Sequence, residues 1–152
     1  MEKSSVTGII VTDDIALITI VSKRYDPYFV YKILDLITPL NVKSGMVMAT
    51  MPYEKKSKIS FATNENKVID AVKTLSKMRD DVFLTINGMN TKITIVGNGL
   101  SDSGFVVKNI LDPLYDCDLD IKLITTSQNE ICIVLSQSKT DVFLKQLNHL
   151  IN

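Results

Sequence analysis

Residues 93–96 read Ile-Thr-Ile-Val, and so do residues 18–21. The echo continues in register with the chain. Phe29-Val30-Tyr31-Lys32 recurs as Phe105-Val106-Val107-Lys108, and Leu40-Asn41-Val42-Lys43 is echoed by Leu119-Asp120-Ile121-Lys122. Ile59-Ser60-Phe61 is echoed in turn by Ile131-Cys132-Ile133. The offset is about 75 residues and drifts by a few, as loops of unequal length require. One such match is weak, but a set in the same order marks a duplication. A length of 152 residues fits one ordinary domain or two very small ones, and the repeat selects two.

Outward from these segments the pattern alternates between strand and helix. Ile93 and Ile95 alternate with Lys92 and Thr94, Ile121 and Leu123 with Asp120 and Lys122, and Ile131, Ile133 and Leu135 with Glu130 and Cys132. Period two predicts strands with one buried face. Asp26-Pro27 pairs a capping residue with proline at the first helical position. Behind it Phe29, Ile33, Leu36 and Ile37 share a helical face that Pro39 stops. Val68, Val72 and Leu75, after Asn64 or Asn66, predict a second helix; Phe143, Leu147 and Leu150, after Ser138 or Thr140, predict the last. Asn87-Gly88 is a tight-turn signal before the second copy.

Each copy therefore reads strand, helix, strand, strand, helix and, in the first, a closing strand from Val82 to Ile86. This is an α+β chain of two ferredoxin-like βαββαβ units, with helices on one face of an antiparallel sheet. Val6 to Val11 is an extra strand ahead of the first copy, while the second copy ends on its helix. The N-terminal strand is therefore expected to complete the second sheet, nesting the first domain (14–88) inside the second (6–13 plus 89–152). Pro113 falls within the helix expected from Gly104 onward and should kink or shorten it.

Composition limits the chemistry. Seventeen basic residues balance seventeen acidic ones, and Arg24 and Arg79 are the only arginines. Neither a nucleic-acid partner nor bidentate phosphate recognition fits that balance. Val96-Gly97-Asn98-Gly99 sits where a phosphate loop would, but Asp102 replaces the third glycine and would repel an anion. It is better read as a permissive turn that lets a small ligand approach backbone amides. Asp116-Cys117-Asp118-Leu119-Asp120 resembles the start of a calcium loop, yet it lacks the glycine, and Ser127 stands where the bidentate Glu belongs. His149 has no partnering nucleophile, and Cys132, on the less apolar face of its strand, has nothing beside it to lower its pKa. No nucleophile, base and orienter assemble. No covalent chemistry is expected of this chain. Single-stranded RNA recognition on the same fold would need aromatics where Ser60, Thr94, Lys122 and Cys132 stand.

The second copy also resembles a known family. Lys92-Ile-Thr-Ile-Val-Gly-Asn-Gly-Leu100, then Gly104 with Val106-Val107-Lys108, then Ile121-Lys-Leu-Ile-Thr-Thr-Ser127 is similar to the C-terminal regulatory half of aspartate kinase. There a VGxGM turn, a PG-initiated helix and an MISTSE strand end occupy the same places. Val6-Thr7-Gly8-Ile9 likewise resembles the VTGIA strand that opens that region and pairs into its second domain. The resemblance covers essentially the whole chain. The kinase's catalytic domain, with its KFGGTS-type opening, is not in this sequence, so ATP and Mg would belong to that absent domain and no cofactor is expected here.

The resemblance implies a pair of ACT domains that bind a free amino acid, lysine or threonine, and switch an attached enzyme. It implies effector sites built from the loop after the first strand and from strands of a neighbouring ACT domain. Carried over by position, the effector-binding residues of the second copy are Gly104, Asp120, Ile121, Thr126, Ser127 and Gln128, with Ser103-Gly104 standing for His-Pro-Gly. In the first copy they are Asp26, Tyr28 and Val47. That copy departs from the family's Asp-x-Pro-Gly entry, reading Tyr25-Asp26-Pro27-Tyr28, and has Lys43 and Val47 where Asp and Gln are usual. Asp26, displaced by one residue, is a candidate partner for a ligand ammonium.

The function expected is a non-catalytic regulatory pair acting on an aspartate kinase catalytic domain or subunit, dimerising through its ACT domains. An ACT pair with a lapsed pocket that only dimerises is the structural alternative, a small ferredoxin-like hydrolase the enzymatic one, and RNA binding the remote one. Met1 to Ser5 lacks the apolar run of a signal peptide, Cys117 and Cys132 are too few for a disulfide scaffold, and no stretch reaches the length of a membrane span. A cytoplasmic protein with no membrane or nucleic-acid partner is the expectation.

Overall fold

The computed structural model describes residues 5–41, 46–53, 55–101 and 104–148. Lys43, Asp102, Ser103, His149 and Leu150, each given a role by the sequence, lie outside the described residues. The chain divides into two compact units, residues 14–88 and residues 1–13 with 89–152. Strands are β1 (Ser5–Ser22), β2 (Val47–Tyr53), β3 (Lys56–Asn64), β4 (Val82–Asn98), β5 (Leu123–Thr126) and β6 (Glu130–Ser136). Helices are α1 (Phe29–Ile37), α2 (Val68–Leu75), α3 (Gly104–Asp116) and α4 (Thr140–Leu147).

In the unit of residues 14–88 the strands run β2-β3-β1-β4. This is the antiparallel ferredoxin-like order, with β1 set against β3 from Ile15 opposite Asn64 to Val21 opposite Lys58. Alternation aims Ile18, Ile20, Ile59 and Phe61 at the helices, where they meet Phe29, Ile33 and Ile37 of α1 and Ala71 and Leu75 of α2. Fully burying a side chain such as Phe61 contributes roughly 1.5–3 kcal/mol. The Asp26 carboxylate accepts the Tyr28 N–H at 2.9 Å and the Asp26 carbonyl accepts the Phe29 N–H at 3.2 Å, but α1 begins only at Phe29 with Tyr28 as its N-cap, so Asp26-Pro27 form the turn that precedes the helix and are not its cap and first residue.

The other unit repeats this order with its own strands, as β1-β4-β6-β5. The N-terminal part of β1 is its fourth strand, as the nesting requires. Thr7 Oγ1 donates to the Val96 carbonyl at 3.2 Å, and Thr91 Oγ1 donates to the Asp13 carboxylate at 2.6 Å. Its core joins Ile93, Ile95, Ile131, Ile133 and Leu135 to Ile110 and Leu114 of α3 and Phe143 and Leu147 of α4. The duplication reaches fine detail. In both units a strand leads through a three-residue 3-10 turn (Glu65–Lys67, Gln137–Lys139) into an eight-residue helix. The hydroxyl pair Thr19 and Ser60 at 2.9 Å is matched by Thr94 and Cys132 at 3.6 Å.

Several local expectations are corrected. Asn87-Gly88 is no turn: both lie inside β4, as the presumed separate strands around residue 13 both lie inside β1. Each long strand carries a left-handed residue at the unit boundary, Asp14 (φ 55°) and Met89 (φ 58°), and does not end there. A Cβ on Gly88 would lie 3.1 Å from Glu65 Oε1, the end of a flexible side chain that would have to give by a few tenths of an ångström. Pro39 lies inside a 3-10 turn, Thr38–Leu40, that follows α1 and is capped by Asn41, left-handed at φ 49°. Asp120 to Lys122 lead into β5, which begins at Leu123. Pro113 does not shorten α3, which continues to Asp116; in the last turn its missing N–H forfeits a single bond. Cys132 is on no open face, because β6 is buried on both sides from Ile131 to Leu135.

Candidate functional site

The turn after the first strand of the second copy is built by two main-chain bonds. The Gly97 N–H donates to the Asn129 carbonyl at 3.0 Å and the Leu100 N–H to the Gln128 carbonyl at 2.8 Å. Gly99, at φ 65°, makes the reversal that a side-chain-bearing residue resists. The opposing β5–β6 turn is closed by the Ser127 N–H and Oγ, which donate to the Glu130 carbonyl at 2.8 and 3.2 Å. Thr126, Ser127 and Gln128 are thus gathered, exposed, beside the Gly97–Leu100 turn that leads to Gly104 at the start of α3. The amides of Gly97 and Leu100 that the sequence offered to a ligand are already engaged.

Asp120 and Ile121 are not part of that group. The Lys122 N–H donates to the Val134 carbonyl at 3.0 Å, at the far end of the β5–β6 pair from Thr126 opposite Ile131. Thr126 closes β5, whereas Asp120 and Ile121 precede its first residue, Leu123, beyond a bend at Lys122. Asp120 instead lines a shallow pocket of about 210 Å³ with Leu119, Lys122, Leu135, Ser136 and Lys139. Lys122 is held there by its ammonium, which donates to Asn90 Oδ1 at 2.6 Å, and Asn90 is fully buried. Sequence reasoning missed Lys122, Ser136, Lys139 and Asn90 as a set, because three separate segments and a neighbouring strand bring them together.

The run Asp116–Asp120 has a local role. The Leu119 N–H donates to the Leu114 carbonyl at 2.9 Å, the Asp118 N–H donates to the Tyr115 carbonyl at 3.1 Å, and Asp118 is left-handed at φ 52°. This is a helix C-terminal cap of the Schellman kind, with Leu119 and Leu114 both packed at the same core.

In the first copy Asp26 and Tyr28 stand at the start of α1, with Tyr28 66% exposed. Val47 opens β2 opposite Phe61, three rungs back from the Val21–Lys58 end of the sheet that leads to them. The Asp26 carboxylate is taken by this chain's own ammonium: Lys32 Nζ lies 2.7 Å away. That hydrogen bond first, and the Tyr28 N–H second, hold the Asp26 carboxyl below the usual carboxylate range. An ammonium-accepting role for Asp26 thus requires displacing Lys32. On the face an RNA reader would use, Thr94 and Cys132 are buried. Burial, and then Glu130, whose carboxylate accepts from the thiol at 3.0 Å, push the Cys132 thiol up. Among the described residues no three His, Cys, Asp or Glu side chains group to hold a metal ion, and no helix is long and apolar enough to cross a membrane.

No protein-family profile matches the chain. It is 23% identical over 151 residues to an aspartokinase of Pseudomonas aeruginosa, a match covering 97% of this chain and 37% of that protein. The chain therefore spans little more than a third of the length of such relatives. The regulatory subunit of aspartate kinase from Thermus thermophilus, in its ligand-free form, superposes with a TM-score of 0.87 at 17% identity. That superposition covers 97% of this chain and 99% of that one. Aspartokinase III of E. coli, in its T-state complex with lysine and aspartate, superposes with a TM-score of 0.74 at 13% identity, covering 100% of this chain and 35% of that one. At these identities the superpositions establish the fold. Over nearly its whole length the chain resembles the regulatory region of aspartate kinases, and its two units have the ACT-type fold.

Proposed function

We propose that this chain is a non-catalytic regulatory pair of ACT domains that senses lysine or threonine and governs phosphorylation of L-aspartate by an aspartate kinase catalytic domain or subunit. The observation that carries this reading is the nested pair of strand orders, β2-β3-β1-β4 and β1-β4-β6-β5, in a chain that a regulatory subunit of aspartate kinase matches over 97% of its length. The bound lysine of the aspartokinase III complex supports an amino-acid effector. The mechanism is a population shift: an effector that prefers one arrangement of the ACT dimer changes the enzyme by no more than its differential affinity.

The occupied Asp26 carboxylate supports a narrower second reading, in which the first copy has lost its pocket and serves only dimerisation. A thermal-shift series of the chain with lysine, threonine and the other common amino acids separates the two. A ligand present at 100 times its Kd stabilises by about 2.7 kcal/mol. A raised midpoint with lysine or threonine supports sensing, and a flat series supports the dimerisation module.

A further inference from the structure

We infer that the sheet of residues 14–88, on the face turned away from its helices and at the end where β3 begins, is a docking surface for an extended protein segment bearing carboxylates at alternate positions. The inference goes beyond the sensing reading and does not depend on it. Three connections converge at that end. The Ser57 N–H donates to the buried Ser22 hydroxyl at 2.7 Å, which ties the β2–β3 turn to β1. The Lys23 N–H donates to the Asp81 carbonyl at 2.8 Å and its ammonium to the Arg79 carbonyl at 3.3 Å, which ties in the chain entering β4. Together they gather Lys23, Arg24, Lys55, Lys56, Lys58 and Arg79, all exposed and including both arginines of the chain.

The strand lysines share one face. Ile59 and Phe61 point at the helices, so alternation turns Lys56 and Lys58 the other way. Val21 lies opposite Lys58, and Lys23, two residues on, follows it onto the same face. The Lys23 ammonium stands 5.2 Å from the ring centroid of Phe83, which alternates with core Val82. Among the described residues none of the six cations is in an ion pair. The carbonyl and the ring that Lys23 meets carry no net charge, and the Asp26 carboxylate nearby is taken by Lys32. The other acids of this end are Asp80 and Asp81, with Glu54 outside the described residues. In a chain of zero net charge this is a local excess of cations that the fold creates by position. Lys56 and Lys58 sit roughly 7 Å apart along the strand. That is inside the Debye length of about 8 Å at physiological salt, so they repel each other and a facing anion relieves them.

Spacing and surroundings choose the partner. Carboxylates at alternate positions of an extended segment repeat at the same roughly 7 Å and meet Lys56 and Lys58 one for one. Phe83, 57% exposed beside the Lys23 ammonium, adds an apolar contact for a neighbouring side chain. A run of phosphates fits less well. Asp80 and Asp81 follow Arg79 directly and would repel it, and the lysines of the sheet face are point charges without the fork that arginine brings to phosphate. A protein segment can set a neutral or basic residue against those aspartates, whereas a nucleic-acid backbone carries its charge without a break.

Fluorescence anisotropy and amide NMR of the full chain test this with a labelled peptide of alternating glutamate and threonine, its glutamine–threonine counterpart, and single-stranded oligo(U) of equal length. The glutamate peptide should bind saturably, move resonances of residues 21–25, 56–60 and 82–85, and bind more weakly as salt is raised. Lys56→Glu combined with Lys58→Glu should weaken that binding at least tenfold. Lys58→Gln, the milder variant, should weaken it less and raise the thermal midpoint, because like-charge repulsion is relieved. The inference is overturned if the glutamine peptide binds as well as the glutamate one, if the double variant binds as the unaltered chain does, or if oligo(U) binds these residues more tightly than the peptide. It is overturned too if these resonances move with protein concentration alone and the peptide leaves them in place, which gives the face to a second copy of the chain. Saturable peptide binding beside a flat lysine and threonine series would remove the sensing reading and leave this inference standing.

Discussion

Removing residues 1–13 should unfold the second copy and spare the first, although every residue of the second copy's own repeat remains. In the unit of residues 1–13 and 89–152, β1 is an outer strand beside β4. It delivers Val6 and Ile9, both partly buried against the core. Half of the roughly 1.5–3 kcal/mol of full burial gives about 1 kcal/mol for each. It also delivers the Asp13 carboxylate that accepts from Thr91, a residue with no exposed surface. Stranding that buried hydroxyl costs about 1–3 kcal/mol. The loss is therefore roughly 3–5 kcal/mol before any β1–β4 ladder bond is counted. At 0.05–0.15 kcal/mol per residue such a unit holds roughly 4–12 kcal/mol in all, so truncation takes much of it. Hydrogen exchange is the assay. Protection of residues 93–96 and 131–135 should collapse, while residues 15–21 and 59–63 keep theirs. Asp13→Ala is the milder variant, and about 1 kcal/mol should lower the midpoint by roughly 4–8 °C. Unchanged protection in β6 after truncation, or equal loss in both units, would refute the nesting.

Further outcomes follow from single groups. The Asp26 carboxyl should titrate below the ordinary range by NMR and return upward in Lys32→Met. Because its folded pKa is depressed, its stabilising effect is present above the unfolded value and lost as pH falls through the folded one. The Cys132 thiol, raised by burial, should resist a thiol reagent until the chain unfolds, whereas half-buried Cys117 reacts in the native state. Its folded pKa is raised, so its contribution is complete below the unfolded value and lost as pH climbs through the folded one. Asp118→Gly should raise the thermal midpoint, since the left-handed cap at φ 52° favours glycine by about 1 kcal/mol.

The fold was legible because burial left a periodic record. The Ile93/Ile95 and Ile18/Ile20 alternations survive as the helix-facing rows of the two sheets, and the missing last strand of the second copy pointed to residues 6–11. What was not legible was continuity. Asn87-Gly88 has the composition of a turn, yet a strand passes through it, because Met89 and Asp14 take up the left-handed conformation instead. The site was legible only in pieces. Thr126 to Gln128 are neighbours in sequence and stay together beside the Gly97–Leu100 turn, but Asp120 and Ile121 precede β5 at its other end. Asp26 to Lys32 spans six residues, outside the usual i,i+3 or i,i+4 helix pairing, so its closure could not be read from spacing. The zero net charge said nothing of the Lys122, Lys139 and Asp120 cluster, because composition carries no position.

The central claim is that this chain recognises a free amino acid. Calorimetric titration of the full chain with L-lysine and with L-threonine tests it most directly. Saturable heat with a fixed stoichiometry for at least one of them is the predicted result. No heat beyond dilution for either, on a chain shown to be folded by its hydrogen-exchange protection, would contradict it.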